Sequence, residues 1–155
     1  GYSGWGGYFN ADVYCGGWYF GSDRRLKRDI EPIKSAIGIV KQLTPVSYYY
    51  DTEAYPEMGF DENRLTYGFI AQDLEQVLPE LVKEKNLVLN SNRLMTADEL
   101  SKERKTDLFK VVNYTLMIPV LTQAVKEQQD IIEEQNEKID RLEKEIEKIK
   151  ALLQK

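Results

Sequence analysis

The last quarter of the sequence carries a seven-residue repeat of mainly apolar residues. One set recurs every seven positions, at Ile118, Val125, Ile132, Ile139, Ile146 and Leu153. A second set follows three residues after each of the first five, at Leu121, Gln128, Gln135, Leu142 and Ile149. Alternating spacings of three and four place both sets on one helix face, which is the pattern of a left-handed coiled coil. The sequence therefore predicts a long helix that associates with other helices along this face.

The residues of this face also indicate how many helices associate. Isoleucine in the first set with leucine in the second favours two strands, but the second set contains two glutamines and an isoleucine, which favours three. Lys138 with Glu143, and Glu145 with Lys150, lie where opposite charges bridge neighbouring helices. We expect a trimer with a seam formed by Val125, Gln128, Ile132, Gln135, Ile139, Leu142, Ile146 and Ile149.

Composition excludes several classes of function. The 155 residues carry a formal net charge of −5, which argues against a general nucleic-acid binder, since such a protein needs a basic surface. No apolar run is long enough to span a bilayer, so no membrane partner is expected. The chain has no histidine and one cysteine, Cys15, which excludes a histidine-based triad, an internal disulfide and a multi-thiolate metal site. No metal and no cofactor are expected, and any proton transfer falls to a carboxylate, a tyrosine or a lysine.

The rest of the chain divides into two zones. Residues 1–22 combine glycine with aromatics, which is typical of short strands and tight turns, and we interpret them as the end of a larger β-rich protein. Residues 23–112 carry mixed signals that predict a helix over 32–43, strands over 46–50 and 66–70, and a helix over 71–78. A strand is predicted within 80–90, followed over 91–110 by a loop and the start of a helix. The predicted fold class is α+β, with this small domain followed by the coiled-coil helix over 113–155.

The boundary between these zones contains a serine and a lysine five residues apart, Ser22 and Lys27. In most proteins such a serine caps a turn and such a lysine is a solvated charge. Lysine acts as a general base only when its amine is neutral, and crowding by arginines or burial at a subunit interface favours the neutral form. A serine–lysine dyad is therefore the alternative to a plain charged turn.

Three segments of the sequence are distinctive when taken in order. The first is SDRRLKRDI at residues 22–30, and the second is YGFIAQDL at 67–74 with VLPELV at 77–82. The third is VNY at 112–114, followed by LMIPVL at 116–121 and AVKE at 124–127. These segments, which lie in order within residues 22–128, resemble a known family, the endosialidase-type intramolecular chaperone domain of phage tailspikes and tail fibres (peptidase S74).

The resemblance implies a homotrimeric C-terminal chaperone that assembles the upstream client part of its own polypeptide and then releases itself by cutting between Ser22 and Asp23. Ser22 and Lys27 would be the catalytic pair, and Arg25 and Asp29 are auxiliary candidates. Assembly would take place in the host cytoplasm, and the client would remain on the virion tail.

Three alternatives stay open at this point. A cap of the same fold would trimerise the client without cutting. The self-cleaving domain of a myelin regulatory factor-like transcription factor shares the dyad, although nothing in this sequence shows a membrane tether or a basic domain. A dimeric coiled-coil adaptor is the third. The attacked carbonyl is also open, because attack of Ser22 on its own carbonyl closes a four-membered ring, whereas attack on the carbonyl of Gly21 closes a five-membered one.

Overall fold

The computed structural model of the chain describes residues 17, 19–88 and 106–154. These residues form two compact units. One contains the residues up to Ile30 together with Thr44–Val112, and the other contains Glu31–Leu43 together with the residues from Asn113 onward. The first unit is mixed α/β with two small sheets, and the second is helical. The α+β class with a long C-terminal helix is therefore confirmed.

Two antiparallel strand pairs form the sheets of the first unit. Strand β1 (Pro45–Tyr48) pairs with β2 (Thr66–Phe69) so that Pro45 lies opposite Phe69. Strand β3 (Val82–Val88) pairs with β4 (Thr106–Val112), from Val82 opposite Val112 to Val88 opposite Thr106. A two-stranded sheet is marginal in water, so both pairs depend on other elements for stability.

A short helix supplies part of that stability. Helix α2 (Ala71–Val77) follows β2 and lies against β3 and β4. Its Leu74 is 2% exposed, and Leu81 and Val82 just beyond the helix are also buried. Lys110 of β4 donates a hydrogen bond to Glu75 of α2, and this contact raises the pKa of Lys110. Helix α2 therefore joins the β3–β4 pair through one apolar and one charged contact.

The second unit is built around the long helix. Helix α3 (Met117–Leu153) is 37 residues long and packs near its start against the short helix α1 (Ala36–Val40). The buried side chains of this unit are Ala36, Met117, Val120 and Ala124. Pro119 is the third residue of α3. Backbone N–H groups in the first turn of a helix have no acceptor within the helix, so a proline is tolerated there. The rest of the described α3, from residue 128 onward, is exposed in the single chain.

Several predicted elements are confirmed to within one or two residues. Strand β1 ends at Tyr48 rather than at residue 50, and Tyr50 stacks on Phe60 with ring centroids 3.9 Å apart. Strand β2 and helix α2 each end one residue earlier than predicted. The loop between β1 and β2 contains Gly59 at a φ of 66°, a conformation that favours glycine.

Two predicted elements are wrong. The helix predicted over 32–43 is only the five residues of α1, because Ser35 adopts a left-handed φ of 55° that a helix interior does not accept. The helix start predicted before residue 110 is instead strand β4. Asp107 and Lys110 interrupt its apolar pattern, and its conformation comes from pairing with β3, a partner distant in sequence.

Other predictions lie outside the described residues or stay untested. The strands predicted in residues 1–21 fall mostly on residues 1–16 and 18, and the loop predicted from residue 91 falls on residues up to 105; both lie outside the described residues. The domain division predicted at residues 22 and 112 stays a prediction. Within the described ranges, no helix combines the length and apolar character needed to cross a membrane.

Candidate functional site

A single 3-10 turn, Arg24–Leu26, organises the residues at the predicted junction. Two backbone hydrogen bonds close it, from the N–H of Leu26 to the carbonyl of Asp23 and from the N–H of Lys27 to the carbonyl of Arg24, both at 3.1 Å. The Asp23 side chain caps the turn by accepting from the N–H of Arg25. The turn thus lies between Ser22 and Lys27.

Ser22 and Lys27 are brought into contact across this turn. Lys27 Nζ donates a hydrogen bond to Ser22 Oγ at 2.7 Å. Both residues are exposed. A primary amine in water carries a proton at neutral pH, so in this contact lysine is the donor. If the amine were neutral, the direction of the hydrogen bond would be reversed, and the Ser22 hydroxyl would donate to Lys27 Nζ.

Arg25, one of the two auxiliary candidates, forms a two-pronged pair with Asp23. Arg25 Nε donates to Asp23 Oδ1 at 3.0 Å, and Arg25 Nη2 donates to Asp23 Oδ2 at 2.9 Å. The guanidinium contact, and after it the backbone N–H of Arg25, lowers the pKa of the Asp23 carboxyl. Asp23 is therefore held as a carboxylate, with both oxygens occupied by one arginine.

Asp29, the other auxiliary candidate, lies apart from Ser22 and Lys27. Its carboxylate is 3.6 Å from Arg28 Nε, and both of these side chains are almost fully exposed. Asp29 has a φ of 52°, a left-handed conformation that aspartate tolerates better than most residues. Among the hydrogen bonds found in the described part of the chain, neither Arg25 nor Asp29 contacts Ser22 or Lys27.

The predicted seam residues all lie on α3, and none is buried in the single chain. The apolar ones range from 41% exposed for Ile132 to 64% for Val125. The eight residues form one continuous stripe on the helix: Val125, Gln128, Ile132, Gln135, Ile139, Leu142, Ile146 and Ile149. Their assignment as a trimer seam stays a prediction.

Glu127 has a structural role that the sequence did not reveal. Its two carboxylate oxygens accept hydrogen bonds from the backbone N–H groups of Ala36 at 3.0 Å and Ile37 at 2.9 Å. These two contacts, Ile37 first, lower the pKa of Glu127. Helix α1 has no cap from Ser35, so Glu127 supplies one from α3. One glutamate among many in a charged helix gives no sequence signal for such a contact.

The described residues offer no group of three histidine, cysteine or acidic side chains placed to hold a metal ion.

The chain is similar to one protein family and to several phage tail fibre proteins. Residues 22–83 match the family model for the chaperone of endosialidase, peptidase S74. The long tail fiber protein Gp37 of Salmonella phage S16 is 34% identical over 82 residues, which is 53% of this chain and 10% of that protein. The proteins of the same name in Enterobacteria phages K3 and T2 are each 39% identical over 66 residues, 43% of this chain and 5% of theirs.

The chain spans about a tenth or less of the length of these relatives. The family match begins at Ser22, the residue that Lys27 contacts, and contains the whole turn that holds them together. Residues 22–83 of this chain therefore resemble the peptidase S74 family, the chaperone of endosialidase, over less than half of the 155 residues.

Proposed function

We propose that this chain is a C-terminal intramolecular chaperone of a phage tail fibre or tailspike, which trimerises the β-rich part preceding it and then cuts itself away between Ser22 and Asp23. The observation that carries the proposal is the 2.7 Å contact between Lys27 Nζ and Ser22 Oγ at the first residue of the family match. The relatives, all named long tail fiber proteins, support a fibre as the client.

Cleavage is a single-turnover hydrolysis with Lys27 as the base. One water is consumed, the C–N bond between Ser22 and Asp23 breaks, and the pieces end in a Ser22 carboxylate and an Asp23 amine. Neutral Lys27 removes the proton from the attacking oxygen and returns it to the departing nitrogen of Asp23. Because Ser22 cannot reach its own carbonyl without strain, the attacking oxygen for this bond is a water or the Ser22 hydroxyl of another protomer.

Assembly is the step that activates the base. Lys27 is exposed in the single chain, where water favours the charged amine. Burial at an interface between protomers would penalise that charge and favour the neutral, basic form. Cleavage would then follow trimerisation, and no client would be released before its three chains are in register.

The exposed stripe on α3 supplies the driving force for assembly. A helix of 37 residues extends roughly 55 Å, and its apolar stripe has no partner in the described part of the single chain. Packing three such stripes together removes the apolar side chains from water, and glutamine layers at Gln128 and Gln135 restrict register and strand number.

The chaperone role follows from the different folding demands of the two parts. A trimeric β-rich fibre depends on contacts distant in sequence, so it nucleates slowly and exposes strand edges meanwhile. A coiled coil uses local contacts, forms quickly and raises the effective concentration of the three client chains. Assembly would occur in the host cytoplasm, with the fibre remaining on the virion tail; nucleic acid and membrane have no part in the proposal.

Denaturing electrophoresis and mass spectrometry test the proposal. The unmodified chain, joined to its upstream segment, should give two pieces, whereas Ser22→Ala and Lys27→Ala should give one. Lys34→Ala, which removes another exposed lysine, should cleave like the unmodified chain. A downstream piece beginning at Asp23 supports the proposed bond, and one beginning at Ser22 would show attack on the carbonyl of Gly21. An unmodified trimer that stays intact would instead identify a non-cleaving cap.

A further inference from the structure

We propose that Asp23 and Arg25 form a clamp that positions Ser22 against Lys27 and keeps the Asp23 carboxylate away from the Lys27 amine. Arg25 is then a positioning residue rather than a direct electrostatic helper of the reaction. The inference rests on the proposed self-cleavage and assigns a role to two residues beside the scissile bond.

The turn between Ser22 and Lys27 has little else to hold it. It is a three-residue 3-10 helix with no buried residue, closed by two backbone hydrogen bonds. Such short turns have poor hydrogen-bond geometry and are weak without tertiary packing. The Asp23 side chain adds three hydrogen bonds, one to the backbone N–H of Arg25 and two to its guanidinium. These bonds fix the first half of the turn, and Ser22 Oγ then lies 2.7 Å from Lys27 Nζ.

The clamp also controls charge beside the base. Asp23 directly follows Ser22 in the chain, so its carboxylate would be able to pair with a lysine held against Ser22. That pairing would keep Lys27 charged and unable to accept a proton. In the structure both oxygens of Asp23 face Arg25, at 2.9 and 3.0 Å, and the carboxylate is neutralised there.

The neighbouring arginines separate this role from a general effect of positive charge. Arg24 and Arg28 carry the same charge within the same short segment, but neither is paired with Asp23; Arg28 lies 3.6 Å from Asp29. If Arg25 acted only through its charge, Arg24 would contribute about equally. The clamp instead requires the planar fork of a guanidinium, which lysine lacks.

The rate of cleavage after cell-free synthesis tests the clamp. Arg25→Gln should cleave about tenfold more slowly than the unmodified chain or slower still, because a 1 Å error in such a site costs this much or more. Arg24→Gln removes the same charge and should be affected far less. Arg25→Lys should be as slow as Arg25→Gln. Raising the pH should recover part of the rate of Arg25→Gln relative to the unmodified chain.

A double-mutant cycle separates the clamp from the effect of Asp23 on the scissile bond itself. Asp23→Ser keeps a capping side chain and removes the fork, so adding Arg25→Gln to it should slow cleavage no further. Equal rates for Arg24→Gln and Arg25→Gln, or multiplying effects in the double variant, would overturn the clamp while leaving self-cleavage intact. Loss of trimers in the Ser22→Ala, Arg25→Gln chain would also overturn it. Failure of the unmodified chain to cleave would overturn both proposals.

Discussion

At the scale of single residues, the contact between Ser22 and Lys27 depends on their five-residue spacing. Ser22 and Lys27 meet because one 3-10 turn reverses the path between them, and the residues of that turn are themselves charged partners. Their proximity is therefore a local property of the segment 22–27. A short segment of this kind holds a hydroxyl and an amine together at little entropic cost.

Leu74 is the most deeply buried apolar side chain among the described residues of the first unit. It is 2% exposed on α2, which lies against β3 and β4. Leu74→Ala should lower the free energy of unfolding by about 2–5 kcal/mol, through lost burial and the cavity left behind. Urea unfolding at one fixed protein concentration, in the Ser22→Ala background, measures this loss. Leu74→Met, which keeps the volume, should cost less than about 1.5 kcal/mol; an equal loss for both variants would contradict the packing argument.

At the scale of elements, α1 and α3 are joined by the carboxylate of Glu127. Because folding lowers the pKa of this group, its contribution to stability is present above the ordinary pKa of glutamate and is lost as pH falls through the lowered value. The contact should therefore weaken below about pH 4 and be complete at neutral pH.

Glu127→Gln should loosen this contact at neutral pH. An amide has one acceptor oxygen, so one of the N–H groups of Ala36 and Ile37 loses its partner. Exchange of at least one of these two amide protons should accelerate by about tenfold or more, measured by hydrogen exchange with NMR detection. The difference from the unmodified chain should shrink as the pH is lowered. Glu133→Gln, on an exposed part of the same helix, should have no such effect; unchanged exchange in Glu127→Gln would refute the cap.

Gln128 and Gln135 of α3 are expected to lower the stability of the coiled coil while restricting it to one number of helices. Replacing Gln128 and Gln135 by leucine should raise the thermal midpoint, since a fully buried leucine side chain contributes about 1.5–3 kcal/mol. Leucine there, combined with isoleucine in the alternate layers, favours two strands, so sedimentation should show mixed species. Asp130→Leu, on the opposite face of α3, should change neither property. A double leucine variant with one sharp trimer mass would contradict this role.

At the scale of the whole molecule, the proposed function makes cleavage depend on assembly through the exposed α3 stripe. A charge in the middle of the seam, Ile139→Lys, should dissociate the trimer to single chains by sedimentation, because three buried ammonium groups would face each other. If assembly makes Lys27 basic, cleavage should slow by about tenfold or more in the same variant. Glu137→Lys adds a lysine to the outer face and should leave both unchanged. Rapid cleavage by a dissociated Ile139→Lys chain would show that Lys27 does not need assembly in order to act as a base.

The parts of this protein that the sequence predicted are those built from local spacing. The seven-residue repeat predicted α3, because a helix brings together residues three and four positions apart. The five-residue spacing left a Ser22–Lys27 pair open as an alternative to a plain charged turn, and the structure places the two side chains in contact. Strands β1 and β2 and helix α2 were also predicted from local signals, such as the β-branched and aromatic residues of β1 and the proline at residue 79 that ends α2.

Tertiary structure alone decided the features whose partners are distant in the chain. The polar residues of β4 predicted a loop and the start of a helix. In the structure the segment is a strand because its backbone hydrogen bonds pair with β3. Helix α1 shortened to five residues at the left-handed Ser35, and its cap came from Glu127, 91 residues beyond Ala36. Arg25 was an auxiliary candidate from the sequence, and the structure adds that its guanidinium pairs with Asp23. The spacing of apolar residues in a sequence shows which face of a helix or strand is apolar. It does not show which distant segment will pack or hydrogen-bond there, because only folding brings that segment near.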